Sequence, residues 1–302
     1  MTIHRLLRAF VAAGFSTYII YLVKVDALQY YIAPRMEIFV KLSAIVLMMF
    51  AVVQAFSMFV GARGRHVDCG CDHPPSPSLW RNALTYGLLF SPLVLGYFLP
   101  DLALGSDLVD KKGIVLSRSE PGTPAIPREE TPVRTPLPSS ESLQDDQLLR
   151  SFQTGDLYED QYASLAVRLM KQDPMVVRED AYLEIITAID LFLNRFVGKS
   201  VQIEGFAYRT EEMAADEFVV ARMAMDCCSA DATPYGFLVQ SQEASRFAED
   251  TWIRVTGTIG TADWGGVEIV KIEAAEVAGI DSPETPYVYP NYEALDELPA
   301  RD

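Results

Sequence analysis

The chain has 302 residues, half of them hydrophobic, and its 25 Lys and Arg against 41 Asp and Glu give a net charge of −16. The charge is split along the chain, +4 over residues 1–100 and −20 over residues 101–302. The length allows more than one structural unit, and an acidic remainder of this size repels phosphate backbones, which argues against a nucleic-acid partner.

Three apolar runs at the start approach the roughly 20 residues that a bilayer requires. They are "LLRAFVAAGFSTYIIYLV" (about 6–23), "LSAIVLMMFAVVQAFSMFVGA" (42–62) and "ALTYGLLFSPLVLGYFL" (83–99). Pro92 in the third is tolerated where neighbouring helices re-satisfy the freed backbone groups. Tyr21, Tyr30, Tyr31, Trp80 and Tyr97 lie near the expected ends, as an aromatic belt would. The first run starts with basic residues like a signal peptide, but "YLVKVDALQ" offers no small-x-small cleavage site and reads as a retained span. Arg5, Arg8, Arg63, Arg65 and Arg81 would be cytoplasmic, and Lys24, Arg35 and Lys41 would face outward. The expectation is a multi-pass protein of the inner or plasma membrane with a cytoplasmic N-terminus and an extracytoplasmic C-terminal domain. Residues 1–104 form its anchor in the lipid bilayer.

Residues 105–142 read as a linker, because Pro121, Pro124, Pro127, Pro132, Pro136 and Pro138 stand among Ser, Thr, Glu and Arg. From 143 to 196, "QLLRSF", "YASLAVRLM" and "AYLEIITAIDLFLNRF" have helical spacing. From 197 to 280 the period shortens. "KSVQIEGFAYR", "EFVVARMAM", "YGFLVQ", "WIRVTGTIG" and "VEIVKIEAAEV" read as strands, with Val201, Ile203 and Phe206 turned inward. "QEASRFAED" suits a short helix between the third and fourth, and "GTADWGG" a hairpin in which Trp264 shields the barrel. That order is the order of an OB-fold barrel, with a small sandwich as the alternative. Residues 281–302 read as a tail. The fold class expected is therefore a membrane-anchored α + β protein: three transmembrane helices, a Pro-rich linker, a helical segment and a five-stranded OB-like β-barrel. OB-folds often bind oligonucleotides, but this one would carry −8 over residues 196–280, and a fold alone does not assign a ligand.

Two of the four cysteines stand side by side, Cys227 and Cys228, between Asp226 and Asp231. Consecutive Cα atoms are about 3.8 Å apart, below the usual disulfide separation. A strand running through both would send the thiols to opposite faces. A turn at Cys228–Ser229 would instead let both thiols reach one ion, with Asp226 or Asp231 adding an oxygen, a ligand set that suits zinc. Three readings stay open here: a metal site, two small buried core residues, or a redox-active thiol pair. A second cluster, "HVDCGCDH", places His66, Asp68, Cys69, Cys71, Asp72 and His73 between spans two and three, either as an ion-docking loop or as a solvated polar loop. The chain has no Gly-rich phosphate loop, nucleophile elbow or H-E-x-x-H helix, so a non-enzymatic role is expected.

"VGKSVQIEGFAYR", "FVVARMAMDCCSADATPYGFLV", "DTWIRVTGTIG", the terminal "PYVYP" (286–290) and "ALGSDLVDKKGI" together resemble the YcgQ-like permease subunits of bacteria. The resemblance covers nearly the whole chain except the Pro-rich linker. It implies a membrane protein that accompanies a separate multi-spanning permease, with an association with zinc homeostasis. Relatives often carry a longer His-rich loop between spans two and three, here reduced to "HVDCGCDH", while Cys227, Cys228 and Asp231 are kept. The function expected is an accessory permease subunit whose outer domain binds zinc or another divalent metal, or gates the permease. The alternatives are a structural interaction module with Cys227 and Cys228 in its core, and a redox thiol pair.

Overall fold

A computed structural model describes residues 2–61, 78–117 and 147–297. Their contacts separate into two compact units, one of residues 1–103 with Cys227–Ser229, the other of residues 104–226 and 230–302. The cluster between His66 and His73, and all but the first residue of the Pro-rich stretch 117–142, lie outside the described residues.

The first unit is helical: α1 (Thr2–Lys24), α2 (Glu37–Gly61) and α3 (Leu79–Phe98). Pro34 opens the turn ahead of α2, where its fixed φ and missing N–H cost nothing. Small and hydroxylic residues bring the helices together. Ser16 Oγ donates to the Ala44 carbonyl at 2.7 Å between α1 and α2. Tyr18 Oη donates to the Gly96 carbonyl at 3.2 Å between α1 and α3, and a Cβ at Gly96 would meet the Tyr18 ring at 2.6 Å. Close approach through small residues is how helices associate when their solvent is as apolar as their side chains. Ile3–Lys24 and Pro34–Ser57 are long and apolar enough to cross a membrane. The third apolar run forms a 20-residue helix, α3, with Pro92 inside it, and α3 is not among the helices that are long and apolar enough to cross a membrane.

The second unit is a mixed α/β body. Its helices are α4 (Ser106–Lys112), α5 (147–152), α6 (Leu157–Met170), α7 (Tyr182–Leu191), α8 (Leu193–Phe196) and α9 (Ala294–Glu297). Asp156 caps α6, its carboxylate accepting the Tyr158 and Glu159 N–H groups. The sheet has seven strands: β1 (Met175–Val176), β2 (Ser200–Tyr208), β3 (Glu217–Ala224), β4 (Thr233–Gln240), β5 (Trp252–Trp264), β6 (Val267–Gly279) and β7 (Tyr287–Val288). Their order is β1-β2-β5-β6-β4-β3-β7, and β2 pairs also with β3. The pairing therefore runs in a closed circuit through β2, β5, β6, β4 and β3, antiparallel throughout except for the parallel β4–β6 pair.

Gly205 makes that double pairing of β2 possible. Val201 pairs with Gly257 of β5, whereas Tyr208 pairs with Val219 of β3. Where the strand passes from one partner to the other, a Cβ on Gly205 would lie 2.4 Å from the Ala221 carbonyl oxygen, so the position needs glycine. Beyond it Phe206, Ala207 and Tyr208 are all buried, and the expected alternation gives way to burial on both faces.

The five expected strands are present, with β1 and β7 added as two-residue edge strands. Gly265 and Gly266 both have positive φ, 62° and 87°, as the two central residues of a tight hairpin require. In place of the short helix expected in "QEASRFAED" there is a single 3-10 turn at Ala244–Arg246. The Arg209 guanidinium donates to the carbonyls of Ala244 and of Phe247 at this turn, at 2.7 Å in the second case.

Leu165, Leu169, Ile185, Ile189 and Phe196 from the helices join Val201, Ile203, Phe218 and Ile272 in one core. Two segments expected as linker and tail belong to this unit. The Ser106 N–H and Oγ both donate to the Asp250 carboxylate, at 2.8 and 2.7 Å, and Leu116 is 3% exposed. Tyr287 and Val288 are buried, with β7 parallel to β3, and the Ser164 hydroxyl donates to the Leu295 carbonyl at 3.0 Å.

Candidate metal centre

β3 ends at Ala224, and the chain turns before β4 begins at Thr233. Ending the strand there removes the alternation that would have separated the two thiols. Cys227 Sγ and Cys228 Sγ lie 3.6 Å apart. Neither is in a disulfide, and Cys227 is exposed and Cys228 half-buried. The Asp226 N–H donates to Asp231 Oδ1 at 2.8 Å, closing the turn and holding the carboxylate beside the thiols. Ligand atoms of Cys227, Cys228 and Asp231 all lie within 4.8 Å of one another. Lys112 Nζ donates to the carbonyls of Ala230 and Ala232 at 2.9 and 2.8 Å, tying down the far side of the turn. Within the first unit, the Cys227 carbonyl accepts the Ala33 N–H at 3.1 Å and the Ser229 N–H donates to the Tyr31 carbonyl at 2.8 Å.

The four residues expected at this site thus divide. Cys227, Cys228 and Asp231 converge. Asp226 contributes its backbone N–H, which orients Asp231, and lies outside the group of converging ligand atoms. Two zinc-bound sulfurs, each about 2.3 Å from the ion in tetrahedral geometry, stand roughly 3.8 Å apart. The observed thiol spacing matches that closely, so the donor set fits a zinc ion held by two thiolates and one carboxylate. Neither thiol occupies the core in this arrangement.

The two aspartates also face a cavity of about 190 Å³, which Tyr158, Tyr162, Glu184, Tyr235 and Tyr292 help to line. Glu184 is 2% exposed and accepts the Asn291 N–H at 2.8 Å. Sequence reasoning passed over it, although a carboxylate inside the apolar stretch "AYLEIITAI" was the available signal.

Long apolar helices in the first part, followed by an acidic α/β unit that carries a vicinal-cysteine turn, define a two-part class of protein. The chain belongs to the YcgQ-like DUF1980 family: it matches the DUF1980 N-terminal domain over residues 7–115 and the DUF1980 C-terminal domain over residues 152–290. It is 25% identical over 214 residues, 70% of each chain, to the UPF0703 protein YcgQ of Bacillus subtilis (strain 168).

Proposed function

We propose that this protein is an accessory subunit of a membrane permease and that its C-terminal domain binds zinc or a similar divalent ion at Cys227, Cys228 and Asp231. The observation that carries the reading is the convergence of those three ligand atoms within 4.8 Å on an accessible turn. Three protein ligands leave a fourth tetrahedral position open, which suits an ion that is exchanged more than one that is locked into the fold. In this reading α1, α2 and α3 are three transmembrane helices that dock on a multi-spanning permease partner. The large exposed apolar side chains of α2, among them Ile45, Val46, Met49, Val53 and Phe56, supply a surface for lipid or for that partner. The circuit of strands is an OB-like barrel: its order and its one parallel pair follow that pattern. The positive charge near the first spans supports a cytoplasmic N-terminus and an extracytoplasmic C-terminal domain. His66, Asp68, Cys69, Cys71, Asp72 and His73 would form a secondary ion-docking loop on the other side, and the protein would carry out no catalysis of its own.

A redox-active thiol pair is the second reading, favoured by the 3.6 Å spacing of the two sulfurs, one of them on an exposed residue. Metal content and free-thiol titre of the full-length protein, wild type beside Cys227→Ser/Cys228→Ser, separate the two. One zinc per chain, lost in a variant with unchanged far-UV circular dichroism, supports the metal site. Absence of metal from a wild type whose thiols cycle reversibly between two and none would replace it with the redox pair.

A further inference from the structure

We propose that the cavity beside the cysteine turn is a binding site for a small organic cation of the alkylammonium class. Its walls come from four places in the second unit. Tyr158 and Tyr162 stand one turn apart on α6 with ring centroids 5.4 Å apart; Leu183 and Glu184 come from α7, Tyr235 from β4, and Pro290 and Tyr292 from the segment after β7. Asp226 and Asp231 complete the rim.

The chemistry of this lining is one-sided. It contains three carboxylates and four phenol rings, and none of its thirteen residues is Lys, Arg or His. A bare metal ion uses oxygen donors and gains nothing from apolar walls such as Leu183, Met225 and Pro290. An alkylammonium uses every part of such a lining. Its charge is met by the carboxylates, its methyl or methylene groups lie against the aromatic faces, and the cation–π attraction grows as water is excluded. Glu184, 2% exposed, adds a carboxylate to the cavity wall. The volume of about 190 Å³ equals roughly six waters at about 30 Å³ each, enough for a cation of six or seven heavy atoms.

The site stands on observations separate from the metal reading, although Asp231 belongs to both. The test is calorimetric titration of the full-length protein in lipid nanodiscs, with a chelator present, using choline and its uncharged isostere 3,3-dimethyl-1-butanol. Choline should bind at least tenfold more tightly than the alcohol. Glu184→Gln and, separately, Tyr292→Leu should each weaken choline about tenfold. Tyr292 is only half-buried, so its variant guards against loss of fold at Glu184. Choline binding retained in Cys227→Ser/Cys228→Ser would show that the cavity works without the metal site, whatever the fate of that reading. Equal binding of choline and the alcohol, binding of neither, or choline affinity unchanged in a folded Tyr292→Leu would each overturn the proposal.

Discussion

Asp231 is held by Asp226 through the main chain: Oδ1 of the one accepts the N–H of the other, five positions away, at 2.8 Å. The hydrogen bond needs only an oxygen, whereas the proposed zinc ion would need a charge. Asp231→Asn keeps an acceptor in place and should leave the turn and the stability nearly unchanged, while zinc affinity falls about tenfold to a hundredfold. Asp231→Ala should lose both and destabilise by about 1 kcal/mol as well. Competition titration against a chromophoric chelator, paired with thermal unfolding of the same samples, distinguishes the two effects. Equal zinc affinity in wild type and Asp231→Asn would remove the carboxylate from the ligand set.

Arg222 and Glu179 form a second pair with an inverted energetic logic. The Arg222 side chain is 3% exposed and lies 2.9 Å from Glu179, whose side chain is 46% exposed. The guanidinium also donates to the Thr285 carbonyl at 3.0 Å and sits 4.9 Å from the centre of the Trp252 ring, but its Nε has no hydrogen-bond partner among the described residues. The costly change is therefore the one that strands the buried cation. Glu179→Ala should destabilise by about 2–3 kcal/mol, whereas Arg222→Met, which leaves Glu179 free to turn to water, should cost less than about 1.5 kcal/mol. Thermal or denaturant unfolding ranks the two variants; the reverse order would mean that the pair is held by packing around the arginine.

Tyr208 supplies a pH prediction. Burial, reinforced by its hydrogen bond to Asp110 at 2.9 Å and by the nearby charges of Asp110 and Glu249, pushes its phenol up to about 12 from the usual 10.0. A group whose pKa is higher in the folded state binds its proton more tightly there. Its contribution is complete below about pH 10 and is lost as pH rises through about 12. Tyr208→Phe should lower stability near neutral pH and flatten the fall in stability between those two values. Denaturation midpoints measured across that range, wild type against variant, check both parts.

Much of the fold was legible because the relevant signals are local. The strand segments, the helical spacing from 147 to 196 and the Gly265–Gly266 hairpin depend on side-chain periodicity and on φ requirements that near neighbours reveal. What escaped depended on partners distant in sequence. The Arg209 guanidinium reaches the Ala244 carbonyl, 35 residues away, at the 3-10 turn that stands where a helix was expected. Segments 105–117 and 281–297 look like linker and tail until Asp250 and β3 supply their partners. At the site, adjacent cysteines raised the question, but the answer lay in where β3 stops, since a strand continued four residues further, through Cys228, would have parted the thiols. Glu184 was overlooked because an acid near the start of an apolar helix reads as noise until the cavity it borders is seen.

The closed circuit of strands also bears on how the domain is made. β2 must find β5 across more than 40 intervening residues, pairing Val201 with Gly257, and β3 must find β7, pairing Met223 with Tyr287. Few of these contacts repay the entropy of loop closure until most of them are in place. The domain therefore has little that can assemble piecemeal, and its folding should be slow, on the millisecond-to-second scale, and close to all-or-none.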